Sequence, residues 1–269
     1  MNIPTKNNRK ILVTQALPYA NAPLHLGHIL EAVQTDIWTR FQNLNGNECH
    51  FFCADDTHGT PVMLKANEMG ITPEKLIEDV YQDHKSTYEL YDINFANFYS
   101  THSDENKKYS EFIYKCAKEN KLISKSVVEQ YFDETEKMFL SDRFIKGTCP
   151  KCGAENQHGD NCGVCGASYN VLEIENPVST ISNTKPVKKE SEHIFFDLPA
   201  KRNMLKDFIE KVDIQESIKN KLKEWLGDDL KKWDISRDAP YFGFEIPGED
   251  NKFFYVWVDA PIGLSLIHI

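Results

Sequence analysis

A short apolar run, Ile11-Leu12-Val13, leads into Pro18-Tyr19-Ala20-Asn21-Ala22-Pro23-Leu24-His25-Leu26-Gly27-His28, and a stretch with helical periodicity follows. This order limits what the chain can fold into, because a strand then delivers two histidines and a glycine to the mouth of a helix. That end of a helix has free backbone N–H groups and a partial positive charge, so it suits the phosphates of a nucleotide. His-x-Gly-His at such a place, with no Gly-rich loop, points to nucleotidyl transfer. A dinucleotide cofactor or a P-loop ATPase would need the glycines that are missing.

The flanking sequence predicts the rest of one α/β layer. Lys10 to Leu17 reads as a buried parallel strand closed by Pro18. The following helix sets Val33, Ile37, Phe41 and Leu44 on one face, and Asn45-Gly46-Asn47 ends it. His50 to Ala54 is the next strand, followed by Asp55-Asp56-Thr57-His58-Gly59 and a helix through Met69. Glu74 to Tyr91 is helical again, with Leu76, Ile77, Val80, His84 and Thr87 on its inner side. Strand alternating with helix predicts a right-handed crossover and a doubly wound, Rossmann-like parallel sheet.

The character changes near residue 120. Short apolar runs broken by charges fill 127–140, and 176–190 is polar and lysine-rich. Ile194 to Leu198 reads as a strand, and 203–233 as two amphipathic helices, the second presenting Leu222, Trp225, Leu226 and Trp233. The sheet is expected to resume with Phe253-Phe254-Tyr255-Val256-Trp257-Val258.

Between these blocks Cys149-Pro-Lys-Cys152 and Cys162-Gly-Val-Cys165 give two C-x2-C pairs separated by nine residues, each in a Gly-rich turn. Four thiolates in tetrahedral array make a closed structural zinc site with no position left for water. Cys49, Cys53 and Cys116 are isolated and read as small buried hydrophobes.

Composition narrows the function. At 269 residues, 41% hydrophobic and 27% charged, the chain suits a globular domain carrying an insertion. Its net charge of −10 argues against a whole-surface nucleic-acid binder but not against local RNA contact. No apolar stretch approaches the roughly 18 residues needed to span a bilayer, and Met1 to Lys10 lacks the apolar core of a secretory signal. A cytoplasmic location is the expectation, and seven cysteines without an export signal make a disulfide framework unexpected.

In an open α/β sheet, ligands bind beyond the carboxyl ends of the strands. Three segments end there on this reading: Ala16 to Tyr19, Ala54 to His58, and Trp257 to Pro261. His25 and His28 can donate to phosphate oxygens, and Gly27, lacking Cβ, lets an adenine ring lie on the backbone. Asp56 or its neighbour Asp55 can meet an ammonium group, the register leaving open which faces inward. Leu17, Tyr19 and Trp257 offer an apolar, aromatic wall suited to a thioether.

Together the strings ALPYAN and HLGH, DDTHG, the paired C-x2-C, DISRDAPYFG and VWVDAP resemble the methionyl-tRNA synthetase family of class I aminoacyl-tRNA synthetases, over about Lys10 to Gly263. The resemblance implies a catalytic domain at 1–119 and 236–269. It is split by a connective-polypeptide insertion at 120–235, with a zinc knuckle at about 147–167. It implies ATP with Mg²⁺, L-methionine and methionine tRNA as partners, and catalysis through orientation and electrostatics rather than a nucleophile. His25 and His28 would be catalytic, Tyr19, His25, Gly27 and His28 would bind ATP, and Ala16, Leu17, Tyr19, Asp56, Trp257 and Pro261 would bind methionine. Asp56 matches the family's amino-group carboxylate. Arg237 matches a family position and would contact an acidic group or form a structural ion pair. Cys149, Cys152, Cys162 and Cys165 would hold Zn²⁺.

The chain departs from the family pattern after Gly263, where 264–269 looks unrelated, and it shows neither a KMSKS loop nor a helical anticodon-binding domain. A fragment with little aminoacylation activity is the expectation. Two other readings compete. One is a different class I synthetase (for leucine, isoleucine, valine or cysteine) or another HxGH nucleotidyltransferase. The other is a noncatalytic zinc-knuckle module that binds RNA.

Overall fold

The computed structural model describes residues 9–227 and 230–266. Most of the polar N-terminal stretch, residues 228–229 of the second amphipathic segment and the end of the 264–269 tail lie outside them. The chain divides into two compact units, one formed by the segments up to Cys116 and from Tyr241 onward, the other by Ala117–Pro240.

The first unit is built on three parallel strands in the order β1-β2-β3: β1 (Lys10–Thr14), β2 (Glu48–Asp55) and β3 (Asn97–Ser100). Helix α1 (Leu26–Leu44) crosses from β1 to β2, and α2 (Thr60–Met69) with α3 (Pro73–Leu90) from β2 to β3. The expected parallel α/β sheet is therefore present. Its core joins Ile29 and Ala32 of α1, Phe51 of β2, Tyr88 of α3 and Ile93. Phe95 and Phe98 close it by tilted and edge-on contacts to Phe51 and Tyr88 at 4.5–5.5 Å, geometries that aromatic quadrupoles favour. Thr72 caps α3 by accepting the Lys75 N–H at 3.2 Å, and Pro73 follows at the first helical position. Helix α4 (Asp104–Glu119) follows β3.

Two expectations for this unit need correction. Strand β1 stops at Thr14 rather than Leu17, because the Ala16 N–H leaves the ladder for the Glu31 carboxylate (2.8 Å) and Pro18 has no N–H to give. It alternates exposed and half-buried residues instead of lying fully buried. The apolar stripe of α1 is not its packed face: Ile37, Phe41 and Leu44 are 61%, 55% and 86% exposed, whereas Ile29, Ala32, Asp36 and Thr39 are buried. Periodicity shows that a helix has two faces, but local hydrogen bonds allow a polar one inside. Asp36 takes the Arg40 guanidinium (2.5 Å) and the Asn94 N–H (3.3 Å), and the Thr39 hydroxyl donates to the Thr35 carbonyl (2.8 Å).

In the second unit, β4 (Ile123–Asp133) pairs antiparallel with β5 (Met138–Phe139), and a small sheet of β6 (Ile145–Thr148), β7 (Gln157–His158) and β8 (Glu175–Ser179) follows. Strand β9 (Val187–Phe196) returns along the whole of β4, Ile123 opposite Phe196 and Phe132 opposite Val187. It is twice the length expected from Ile194 to Leu198 alone. Helices α5 (Arg202–Lys211) and α6 (Glu216–Trp225) follow, then β10 (Trp233–Asp234) and β11 (Ser236–Asp238). Trp233 thus belongs to a strand, not to the second helix.

A further correction concerns the last segment, which returns to the first unit. Strand β12 (Lys252–Phe254) is short, and the chain then turns into α7 (Val256–Leu266). The run Phe253 to Val258 is apolar at every position, and such a run has no period to tell helix from strand. Here the Tyr241 hydroxyl accepts the Val256 N–H at 3.1 Å, and the helix begins.

Candidate active site and metal centre

The chain beyond β1 runs beside the end of β2. The Asp56 N–H donates to the Pro18 carbonyl (2.9 Å) and the Ala20 N–H to the Asp56 carbonyl (2.8 Å), an isolated parallel bridge between Tyr19 and Asp56. The Tyr19 hydroxyl donates to the His58 carbonyl at 2.6 Å. Burial raises the phenol's pKa far above its usual value, with help from the Asp56 charge, so it stays a neutral donor. Ala16 is exposed and Leu17 half-buried at the start of this segment.

At the mouth of α1 the two histidines cap the helix reciprocally. The Gly27 N–H donates to His25 Nδ1 (3.1 Å) and the His25 N–H to His28 Nδ1 (3.2 Å), and the rings stack with centroids 3.7 Å apart. An Nδ1 that accepts a backbone N–H has no proton of its own, so each neutral ring carries its proton on Nε2. Burial, then the His25 and His84 charges, lower the His28 pKa and favour that neutral form. Two Nε2–H donors with fixed tautomers therefore stand over the positive end of a 19-residue helix. A Cβ at Gly27 would lie 2.9 Å from the His25 ring, so the stacked pair itself requires glycine there.

Asp55, Asp56, Thr57 and His58 are all buried at the end of β2. Asp55 Oδ1 lies 2.8 Å from His84 Nδ1, and the His84 Nε2–H donates to the Ala22 carbonyl at 2.9 Å. Asp259, on α7, lies 2.5 Å from His58 Nδ1. Asp56 is different. Among the described residues its side chain has no partner, and its Oδ1 is shut off from solvent. Burial first, then the charges of Asp259 and Asp55, push its pKa up to about 8. A buried carboxylate without a cation is costly, and an incoming ammonium group would relieve it. Asp55 and Asp259 each leave one buried oxygen without a partner among the described residues, but each has an imidazole on the other oxygen, which Asp56 lacks.

Of the expected wall, α7 carries Trp257, 59% exposed, and the exposed Pro261, on either side of buried Asp259 and Ala260. Arg237 lies in the other unit. Its guanidinium donates to the Ser236 carbonyl (2.6 Å) and approaches Asp234 at 3.8 Å, a local ion pair. There Asp234 and Asp238 also clamp buried His193 at 2.6 and 3.1 Å.

The four knuckle sulfurs lie within 4.8 Å of one another. Cys149 and Cys165 Sγ are 3.9 Å apart, and Cys152 and Cys162 Sγ 3.7 Å. A tetrahedron with Zn–S bonds of about 2.3 Å has edges of about 3.8 Å, so the set fits zinc. The two turns repeat each other. The Cys149 and Cys162 N–H groups bond to the Ala154 and Ala167 carbonyls at 2.8 and 2.9 Å. Gly153 and Gly166, at φ 73° and 71°, supply the left-handed residue that each turn requires. Backbone N–H groups of Lys151 and Cys165 point at sulfur at 3.4 Å.

The sequence pattern of the family "tRNA synthetases class I (M)" matches residues 11–267. The chain belongs to that family. Among solved structures it resembles methionyl-tRNA synthetase of Mycobacterium tuberculosis bound by methionyl-adenylate, in two structures. Each has TM-score 0.70 and 20% identity, and the match covers 95% of this chain and 46% of the other. It also resembles the agnB2 LeuRS of Agrobacterium radiobacter K84 in a ternary complex with tRNA and LeuAMS. There the TM-score is 0.59 with 18% identity, covering 82% of this chain and 25% of that one. At these identities the likeness is one of fold, and the chain spans less than half the length of each synthetase.

Sequence reasoning missed His84 and Asp259 as the partners of Asp55 and His58, and Tyr241 at the start of α7. Only one signal was visible for His84, a titratable group on an otherwise apolar helix face. Asp259 stood in an apolar run with nothing to say that its partner lay 201 residues away.

Proposed function

We propose that this class I synthetase chain carries the amino-acid-activating site of a methionine–tRNA ligase. The observation that carries the reading is Asp56: a buried carboxylate left unpartnered between two aspartates that each have an imidazole, beside Tyr19 and ahead of the capped histidines. Asp56 takes the α-ammonium of methionine. Leu17, Tyr19, Trp257 and Pro261 line its thioether side chain, and Ala16 flanks its carboxylate. His25 and His28 donate Nε2–H bonds to ATP phosphates, with Tyr19 and Gly27 bordering the nucleotide.

Methionine's carboxylate oxygen then forms a bond to the α-phosphorus as the bond to pyrophosphate breaks. The paired imidazoles stabilise charge on the phosphoryl oxygens, and no side chain acts as nucleophile. Mg²⁺ bound with ATP would neutralise the departing pyrophosphate. In the second step a hydroxyl of the terminal adenosine of methionine tRNA takes the acyl group and AMP leaves.

Zn²⁺ held by Cys149, Cys152, Cys162 and Cys165 would be structural, since four thiolates leave no open position. Residues 120–235 would be the connective insertion within a catalytic domain at 1–119 and 236–269, with Arg237 an acidic-group contact at its exit. A cytoplasmic enzyme fits this reading.

The test is a calorimetric titration of the chain with a nonhydrolysable methionyl-adenylate analogue. Saturable binding that is lost in Asp56→Ala and His28→Ala supports the site, and no binding to the wild-type chain overturns it. Methionine-dependent ATP–pyrophosphate exchange then measures what activity this length of chain retains. The LeuRS likeness in fold favours one rival, another class I synthetase, which the same exchange assay run with leucine, isoleucine, valine and cysteine separates.

A further inference from the structure

The imidazole of His58 takes no part in the proposed site, yet it is wholly buried beside it. Its Nδ1 lies 2.5 Å from Asp259 Oδ2 and its Nε2 2.9 Å from His102 Nδ1. Phe242 and Phe244 meet the ring edge-on at 5.4 and 4.5 Å. Its backbone carbonyl meanwhile accepts the Tyr19 hydroxyl. Main chain and side chain of one residue are thus fixed from two directions.

Both partners stand at informative places. His58 comes two residues after Asp56, and Asp259 lies between Trp257 and Pro261 on α7. The Asn106 side-chain amide reinforces that helix, donating to the Asp259 carbonyl (3.1 Å) and to the Thr101 carbonyl (2.8 Å). One hydrogen is held in the short contact between His58 Nδ1 and Asp259 Oδ2. Removing either member leaves a buried polar group uncompensated, which holds the pair together. One contact therefore joins the segment bearing the ammonium anchor to the helix bearing the side-chain wall.

A substrate gripped at its ammonium and at its far end is measured by the distance between the two grips. One methylene is worth about 10- to 200-fold in a fixed apolar pocket, and less when the wall can shift. We propose that His58, held by Asp259, is a positioning residue that sets the separation between Asp56 and the Trp257–Pro261 wall and so selects side-chain length. This rests on the methionine reading above.

The test uses the whole chain and two conservative variants, titrated calorimetrically with L-methionine and with L-ethionine, which is one methylene longer. In His58→Asn the new amide donates from the place of Nδ1 and keeps the bond to Asp259. In His58→Gln the amide donates from the place of Nε2 and loses that bond. The wild-type chain is expected to prefer methionine by about tenfold or more. His58→Asn should retain that ratio, and His58→Gln should bring it within about threefold of unity, mainly by weakening methionine. Thermal melts keep the comparison to folded protein, and Asp259→Ala, which removes the acceptor, serves as second variant if His58→Gln does not fold. A brace that only stabilises the fold would move melting temperature and leave the ratio unchanged, and that result overturns the positioning role alone. Failure of the wild-type chain to bind either amino acid overturns the methionine reading, and the role of His58 with it.

Discussion

Asp55 and Asp56 are neighbours in sequence and opposites in circumstance. Asp55 Oδ1 meets the His84 imidazole at 2.8 Å, though its Oδ2 is buried without a partner, whereas Asp56 has no imidazole and its Oδ1 is buried with no partner among the described residues. Breaking a buried, paired carboxylate and removing a buried, unpaired one have opposite consequences for stability. Asp56→Asn should therefore weaken methionine binding by about 100-fold, within the range of about 2–5 kcal/mol for truncating a buried charge contact. It should also melt at or above the wild-type temperature. Asp55→Asn should melt lower. Calorimetric titration and a thermal melt check both, and a large loss of stability in Asp56→Asn would show that the carboxylate is structural.

The raised pKa of Asp56 has a definite sign. Its carboxyl ionises at about 8 in the folded chain against 3.8 for an unperturbed aspartate. Between those values the folded state holds a proton that the unfolded state has lost, so this group's contribution to stability falls as pH rises through the window. The melting temperature of the wild-type chain minus that of Asp56→Asn should thus decline from about pH 5 to about pH 8. Methionine binding at neutral pH should release a proton, since the ammonium favours the ionised carboxylate. Titration in buffers of different ionisation enthalpy reads that proton directly. Binding without proton release would contradict the argument.

His25 both caps α1 and offers an Nε2–H, and the two roles separate chemically. In His25→Asn the side-chain oxygen still accepts the Gly27 N–H, but the outward donor is lost. Its melting temperature should stay near wild type while affinity for a nonhydrolysable ATP analogue falls several-fold. His25→Ala should lose both, with about 1 kcal/mol of stability gone with the cap. Equal nucleotide affinity in all three proteins would remove the imidazole from phosphate recognition.

The knuckle should carry one zinc per chain by elemental analysis. Cys149→Ser or Cys162→Ser should abolish the metal and open 149–166 to proteolysis, because structural zinc supplies about 10–16 kcal/mol to small zinc-finger peptides. Chelation of the wild-type chain should do the same. An intact loop after complete zinc removal would show that the turns alone hold it.

Much of this was legible before any coordinates. The spacing of Cys149, Cys152, Cys162 and Cys165 announced convergent sulfurs, since two C-x2-C turns have few other ways to use four thiols. The strand-to-helix order around His25 and His28 placed both at a helix mouth, which local capping geometry then fixed. Elsewhere local pattern was insufficient. The apolar stripe of α1 predicted the wrong buried face, because Asp36 and Thr39 are satisfied by hydrogen bonds that no periodicity encodes. The uniform apolar run ending at Val258 reads as a strand, but the chain turns into a helix at Val256, whose N–H the Tyr241 hydroxyl accepts.

The sequence alone determined most of the alternation of strands and helices, the paired cysteine turns and the identity of the histidines at α1, all short-range matters of spacing and capping. Only the tertiary structure decided which aspartate is left without a partner, and that His58 and Asp259 meet. Those outcomes depend on contacts between segments far apart in the chain. There, burial and hydrogen-bond satisfaction are shared among residues that no local window contains together.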